Sequence, residues 1–280
     1  MTVRQKSVKN AMEDDDFSTQ AKHHPVRHSH TARKIRTLFS HPWKVLTKYL
    51  QAFENVVGSN VSLIDHLAFN MSRERLQQFM RKERSLDDIL RTAFNYAGYW
   101  GYRNILPEQI PAEMKQLAED IEKLSPSTIL EIGTSNGGTL YIWARHIKSC
   151  RTIISLDLPR GSTNTKMEFF RLFDETKEFC FLRGNSHAKR TVDKLAKILG
   201  PTKVEFLFID GDHSYEGVKQ DFQAYTQFVA RGGVVALHDI MYHPEYGVDR
   251  FWNEIKSQYA SKEIIASRNQ IGYGIGVLFF

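Results

Sequence analysis

Residues 127–139 read STILEIGTSNGGT. The first six are β-branched or apolar apart from Ser127 and Glu131, a short run suited to a buried strand that stops at Gly133. Thr134, Ser135 and the pair Gly137 and Gly138 follow, so the stretch predicts a first strand-to-helix turn. In an open α/β sheet, ligands sit where strand C-termini meet helix N-termini. Glycines there let the backbone come close, and free helix N–H groups favour an anionic moiety such as a carboxylate. The spacing is G-x-x-x-G-G, which differs from the G-x-G-x-x-G of dinucleotide sites. No Lys-Ser/Thr pair follows the glycines, which argues against a nucleoside-triphosphate P-loop. A tight turn without a ligand is the plain alternative.

Outward from this turn the same grammar repeats. Residues 151–157, 179–183, 204–210 and 233–238 are further short apolar runs, each ending at or beside a glycine or an acid. Helical patterns lie between them, and Val218, Phe222, Tyr225 and Val229 form one helical stripe. Alternating strands and helices predict an α/β fold with a doubly wound, mostly parallel sheet. Residues 262–266 and 275–280 supply two more strands that pair with each other. Residues 36–105 read as an N-terminal helical extension, with apolar spacing at Trp43–Leu50 and Val61–Met80 and a helix cap at Ser85. It holds no chemical motif and suits a lid or an oligomer contact, here a homodimer. Residues 1–35 read as a disordered tail; His23, His24, His28 and His30 there lack cysteine partners for a metal site.

The polar residues gather at strand ends. Asp157 closes the second strand, 24 residues after Gly133, where an acid accepts hydrogen bonds from both hydroxyls of a ribose. Gly184-Asn185-Ser186 ends the third strand and offers short polar groups to an adenine edge. The fourth strand ends in DGDHSY, residues 210–215, and the fifth in His238-Asp239. Neighbouring strand ends bring these carboxylates and imidazoles together, and such a cluster is costly in a core unless paired or metal-bound. Asp212 is the member best suited to a structural role.

Composition sets outer limits. The 280 residues are 41% hydrophobic and 25% charged, a globular balance, and no apolar run approaches the ~18 residues of a membrane span. The first twenty residues have no apolar core, so a secretory signal is not expected. Two cysteines, Cys150 and Cys180, exclude a disulfide scaffold and fit a reducing cytosol. The net charge is +6, but residues 1–40 hold eight Lys/Arg against four acids, so the body is nearly balanced and a nucleic-acid groove is not expected.

The stretches ILEIGTSNGGT, ISLDLP, FLFIDGDHSYEGVKQDF, GGVVALHD and GVDRFW, in this order, resemble class I S-adenosylmethionine-dependent methyltransferases. The likeness is nearer to the small-molecule O-methyltransferase branch, with its cephalosporin-hydroxylase-like and macrolide-sugar members. It spans about residues 106–280 and implies a Rossmann-like, seven-stranded domain. It implies that Glu131, Gly133, Thr134, Ser135, Gly137 and Gly138 form the cofactor turn, that Asp157 holds the ribose and that Ser186 lies near the adenine. Asp210 would sit beside the sulfonium as a catalytic residue, and His213 matches a general base. In metal-using relatives, positions equivalent to Asp210 and Asp239 bind Mg²⁺. His238 departs from them, since they carry an acid there and an imidazole suits Mg²⁺ poorly. The implied reaction is methyl transfer from S-adenosylmethionine to a hydroxyl of a small-molecule acceptor, a sugar or natural product. Tyr215, Tyr242, His243, Tyr246, Trp252 and the helices before residue 105 are candidates to shape its pocket, with core packing the plain alternative for the aromatics. Two rivals are a non-haem iron oxygenase using His213, His238 and a carboxylate, and a non-catalytic nucleoside-binding module.

Overall fold

A computed structural model describes residues 60–159 and 164–280. The expectations for residues 1–35 and for Trp43–Leu50 lie outside the described residues. Five parallel strands, β1 (Thr128–Ile132), β2 (Thr152–Asp157), β3 (Glu178–Arg183), β4 (Val204–Ile209) and β5 (Val229–His238), are joined by β6 (Ala260–Ile264) and β7 (Ile275–Phe279). Their order is β3-β2-β1-β4-β5-β7-β6, with β7 antiparallel to both neighbours. The expected doubly wound, seven-stranded sheet is therefore present. The chain runs outward from β1 to β3 and then returns to β4 on the other flank of β1, so the switch point lies between β1 and β4.

Eight described helices cover the sheet: α1 (Asn60–Met80), α2 (Leu86–Asn95), α3 (Pro111–Leu124), α4 (Gly138–His146), α5 (Asn164–Arg171), α6 (Lys189–Leu199), α7 (Tyr215–Tyr225) and α8 (Val248–Ile255). Strand alternation sorts their partners. Ile129, Phe206, Phe208 and Ala236 face the layer of α1–α5, where Trp143 meets Phe206 and Phe208 edge-on at 5.2 and 5.8 Å. Leu130, Ile132, Leu207 and Leu237 face α6–α8. Each edge-on pair adds about 0.5–1.5 kcal/mol beyond its burial. Ala68, Leu76, Ile89 and Ala93 of α1 and α2 belong to the first layer's core, so apolar packing runs across residue 105 without a break.

Ser85 caps α2 as expected: its hydroxyl accepts from Asp88 N while Asp88 accepts from Ser85 N. Such a reciprocal cap stabilises a helix by about 1 kcal/mol. One expectation is corrected. Val229 is not part of the α7 stripe, because the helix ends at Tyr225, a 3-10 turn follows over Thr226–Phe228, and Val229 opens β5 opposite Val204. No described helix is long and apolar enough to cross a membrane.

Candidate active site

A cavity of about 1120 Å³ opens at the C-terminal ends of β1–β5. This exceeds the ~300–1,000 Å³ usual for a single small ligand, so it has room for two. At one end lies the glycine turn. Gly133 has φ +93°, and a Cβ there would overlap the Asp210 carbonyl oxygen. The turn and the end of β4 are thus in backbone contact, a closeness only glycine permits. Gly137, at φ +87°, starts α4. Ser135 N donates to Asp157 Oδ2 at 3.2 Å and Leu158 N to Asp157 Oδ1 at 2.7 Å, which fixes the Asp157 carboxylate at the cavity wall. Gly133, Thr134, Ser135, Gly138, Asp157 and Ser186 all line the cavity.

Glu131 does not line it. On a strand, alternate residues face opposite sides, and Glu131 shares the parity of Ile129, so it points into the α4 layer. It is fully buried and accepts from Trp143 Nε1 at 2.7 Å. Burial pushes its carboxyl up to about 8, against hydrogen bonds from Thr139 and Trp143 that pull it down. Gly137 likewise shapes the turn without lining the cavity.

At the other end the β4 and β5 termini bring the expected cluster together. Asp210 Oδ1 lies 3.1 Å from His238 Nδ1 and 3.6 Å from His213 Nε2. Asp239 Oδ2 lies 3.4 Å from His238 Nδ1 and 3.6 Å from His213 Nε2. Burial disfavours charge on Asp210, but the two imidazoles outweigh it and hold the carboxyl below its ordinary value. Burial also opposes charge on His238, yet the facing carboxylates push it up to about 10. The hydrogen bond to Asp210 raises His213 against a smaller effect of burial. Asp212 takes the structural role expected of it, accepting from Ser214 N at 2.9 Å at the start of α7.

Asp210, His213 and Asp239 offer one donor atom each, all within 4.8 Å of one another. Two oxygens and a nitrogen at this spacing fit a divalent cation, and the nitrogen suits a borderline ion better than Mg²⁺. His238 faces the same carboxylate oxygens, so its charge competes with such an ion.

Residues outside the strand ends complete the walls. The Tyr246 ring lies 4.6 Å from His213 and stacks on His243 at 3.9 Å. The loop between β6 and β7 brings Ile271–Tyr273 to the cavity, and Tyr273 N donates to Asp239 Oδ1 at 2.8 Å. That loop is held by buried Glu113 of α3, which accepts from Ala266 N, Gly274 N and Gln270 Nε2 at 2.8–2.9 Å. Glu108 and Gln109 also line the cavity, and sequence reasoning missed them. Their one signal is a polar pair between Pro107 and Pro111.

Residues 130–240 match a family model described as a methyltransferase domain. An uncharacterised protein of Acanthamoeba polyphaga mimivirus is 28% identical over 129 residues, 45% of this chain. The chain covers only 57% of that relative's length. An O-methyltransferase from Bacillus cereus, solved in complex with SAH, superposes with a TM-score of 0.50 at 15% identity, over 71% of this chain and 93% of that one. The O-methyltransferase TomG from Streptomyces achromogenes, solved with SAM, gives 0.48 at 17% identity, over 71% and 90%. The strand order and the glycine turn are those of a Rossmann-like fold, and residues 130–240 are similar to the methyltransferase domain that the family model describes.

Proposed function

We propose that the chain transfers a methyl group from S-adenosylmethionine to a hydroxyl of a small molecule, a sugar or natural product, with His213 as general base. The supporting observation is the single cavity that joins the glycine turn and Asp157 to the cluster of Asp210, His213 and Asp239. When bound, the sulfonium donor supplies a methyl group that is already activated. The residues then have to align it. The turn at Gly133 and Thr134 admits the amino-acid portion, Asp157 accepts from the ribose hydroxyls, and Ser186 lies by the adenine. Holding two reactants in line lowers a barrier by roughly 7–11 kcal/mol. His213 Nε2 takes the acceptor's proton, worth a further ~10²–10⁴-fold, and Asp210 and Asp239 stabilise the imidazolium that results. In the metal-assisted version Asp210 and Asp239 would instead hold a divalent cation, which would polarise the hydroxyl as a Lewis acid.

Calorimetry with S-adenosylhomocysteine tests the donor half: one-to-one binding is expected, and no heat from folded protein ends the reading. Loss of transfer on chelation, restored by a divalent cation, selects the metal-assisted version. A cytosolic location and a homodimer through the N-terminal helices belong to the same proposal, the dimer on the exposed Leu63, Leu67 and Met71 of α1.

A further inference from the structure

Residues 105–109 lie outside the matched domain yet cross its first strand-to-helix turn. The Ile105 carbonyl and the Pro107 ring close on Gly138 so tightly that a Cβ there would overlap both. Ser135 Oγ donates to Glu108 Oε1 at 3.1 Å. Gln109 Nε2 donates to Asp210 Oδ2. Gln109 is 7% exposed and lines the cavity, while its Oε1 is buried with no hydrogen-bond partner. With the amide nitrogen committed to a carboxylate, the remaining atom can only accept, and an unmet buried acceptor is costly. Glu108 and Asp157 line the same cavity as Asp210 and add two carboxylates to its wall, so a cationic donor is a ligand group it favours. Gly133 packs against the Asp210 backbone, which puts Gln109 where the glycine turn meets β4.

We propose that Gln109 is a donor-binding residue: its Oε1 and the Asp210 carboxylate together receive the α-ammonium of the methyl donor's amino-acid portion. This assignment rests on the S-adenosylmethionine reading above. The test compares S-adenosylhomocysteine with its analogue lacking the α-amino group, by calorimetry on the full chain. Gln109→Ala and the volume-keeping Gln109→Met should each weaken S-adenosylhomocysteine roughly 10- to 100-fold, the worth of a hydrogen bond to a charged group. Both should leave the deaminated analogue within about twofold of wild type. Equal losses for the two ligands, or no loss for S-adenosylhomocysteine, would overturn the assignment alone. Wild-type protein that binds neither ligand would overturn the assignment together with the methyl-donor reading.

Discussion

At the β1–β2 end of the cavity the chain presents mostly backbone, a turn at Gly133 with one carboxylate, Asp157, pinned by two main-chain N–H groups. At the β4–β5 end it presents four ionisable side chains within 3.1–3.6 Å contacts of one another. The first end is limited by space, and a single added carbon is too much for it. The second is limited by charge, and its side chains fit only because each carboxylate faces an imidazole. Binding and chemistry should therefore respond to different kinds of substitution.

The sharpest separation is expected from His213→Ala. Methyl transfer to any acceptor that the wild type turns over should fall about 10²–10⁴-fold, while S-adenosylhomocysteine affinity stays within about twofold. Full turnover in this variant would remove the base from the charged end. Gly133→Ala probes the other end. A side chain at φ +93° that overlaps the Asp210 carbonyl should lower unfolding stability by about 3 kcal/mol, read by chemical denaturation, and weaken donor binding with it. An unchanged midpoint would mean that close approach does not govern this end.

Asp157→Asn should cost about tenfold in S-adenosylhomocysteine affinity and about 1 kcal/mol of stability, since it loses charge-assisted bonds to ligand hydroxyls and turns an amide NH2 toward one of the two main-chain N–H groups that pin the carboxylate. The last prediction concerns the pH dependence set by Glu131. Its carboxyl sits near 8 in the folded chain against an ordinary 4.5, so between those values the native state holds a proton that the unfolded chain has released. The stability this proton brings is complete below pH 4.5 and is lost as pH rises through about 8. Glu131→Gln cannot titrate, so its melting temperature should decline less over that window. Parallel declines in the two proteins would mean that Glu131 is not the group responsible.

Much of this is legible in the sequence. Strand runs such as TIISLD and VEFLFI announce themselves because both sheet faces are covered. His213 and Asp239 could be brought together because parallel pairing of β4 and β5 places their ends side by side. Glu131 misled because a motif does not show parity: being one strand step from Ile132, it turns away from the cavity. Gln109 was missed because its partner Asp210 is 101 positions away, a closeness that no local pattern encodes. Val229 misled because an apolar residue at helical spacing also suits a strand, and only pairing with Val204 decides between them.

The Glu113 anchor on the β6–β7 loop has a consequence for how this protein could diversify. A carboxylate from the opposite side of the chain clamps both shoulders of that loop, leaving residues 267–273 as a span whose sequence is not needed for the clamp's main-chain bonds. New side chains there would redraw the far wall of the chamber without touching the glycine turn or Asp157. The shape of that wall can therefore change by rewriting one short hairpin tip, while the opposite end of the chamber keeps its geometry.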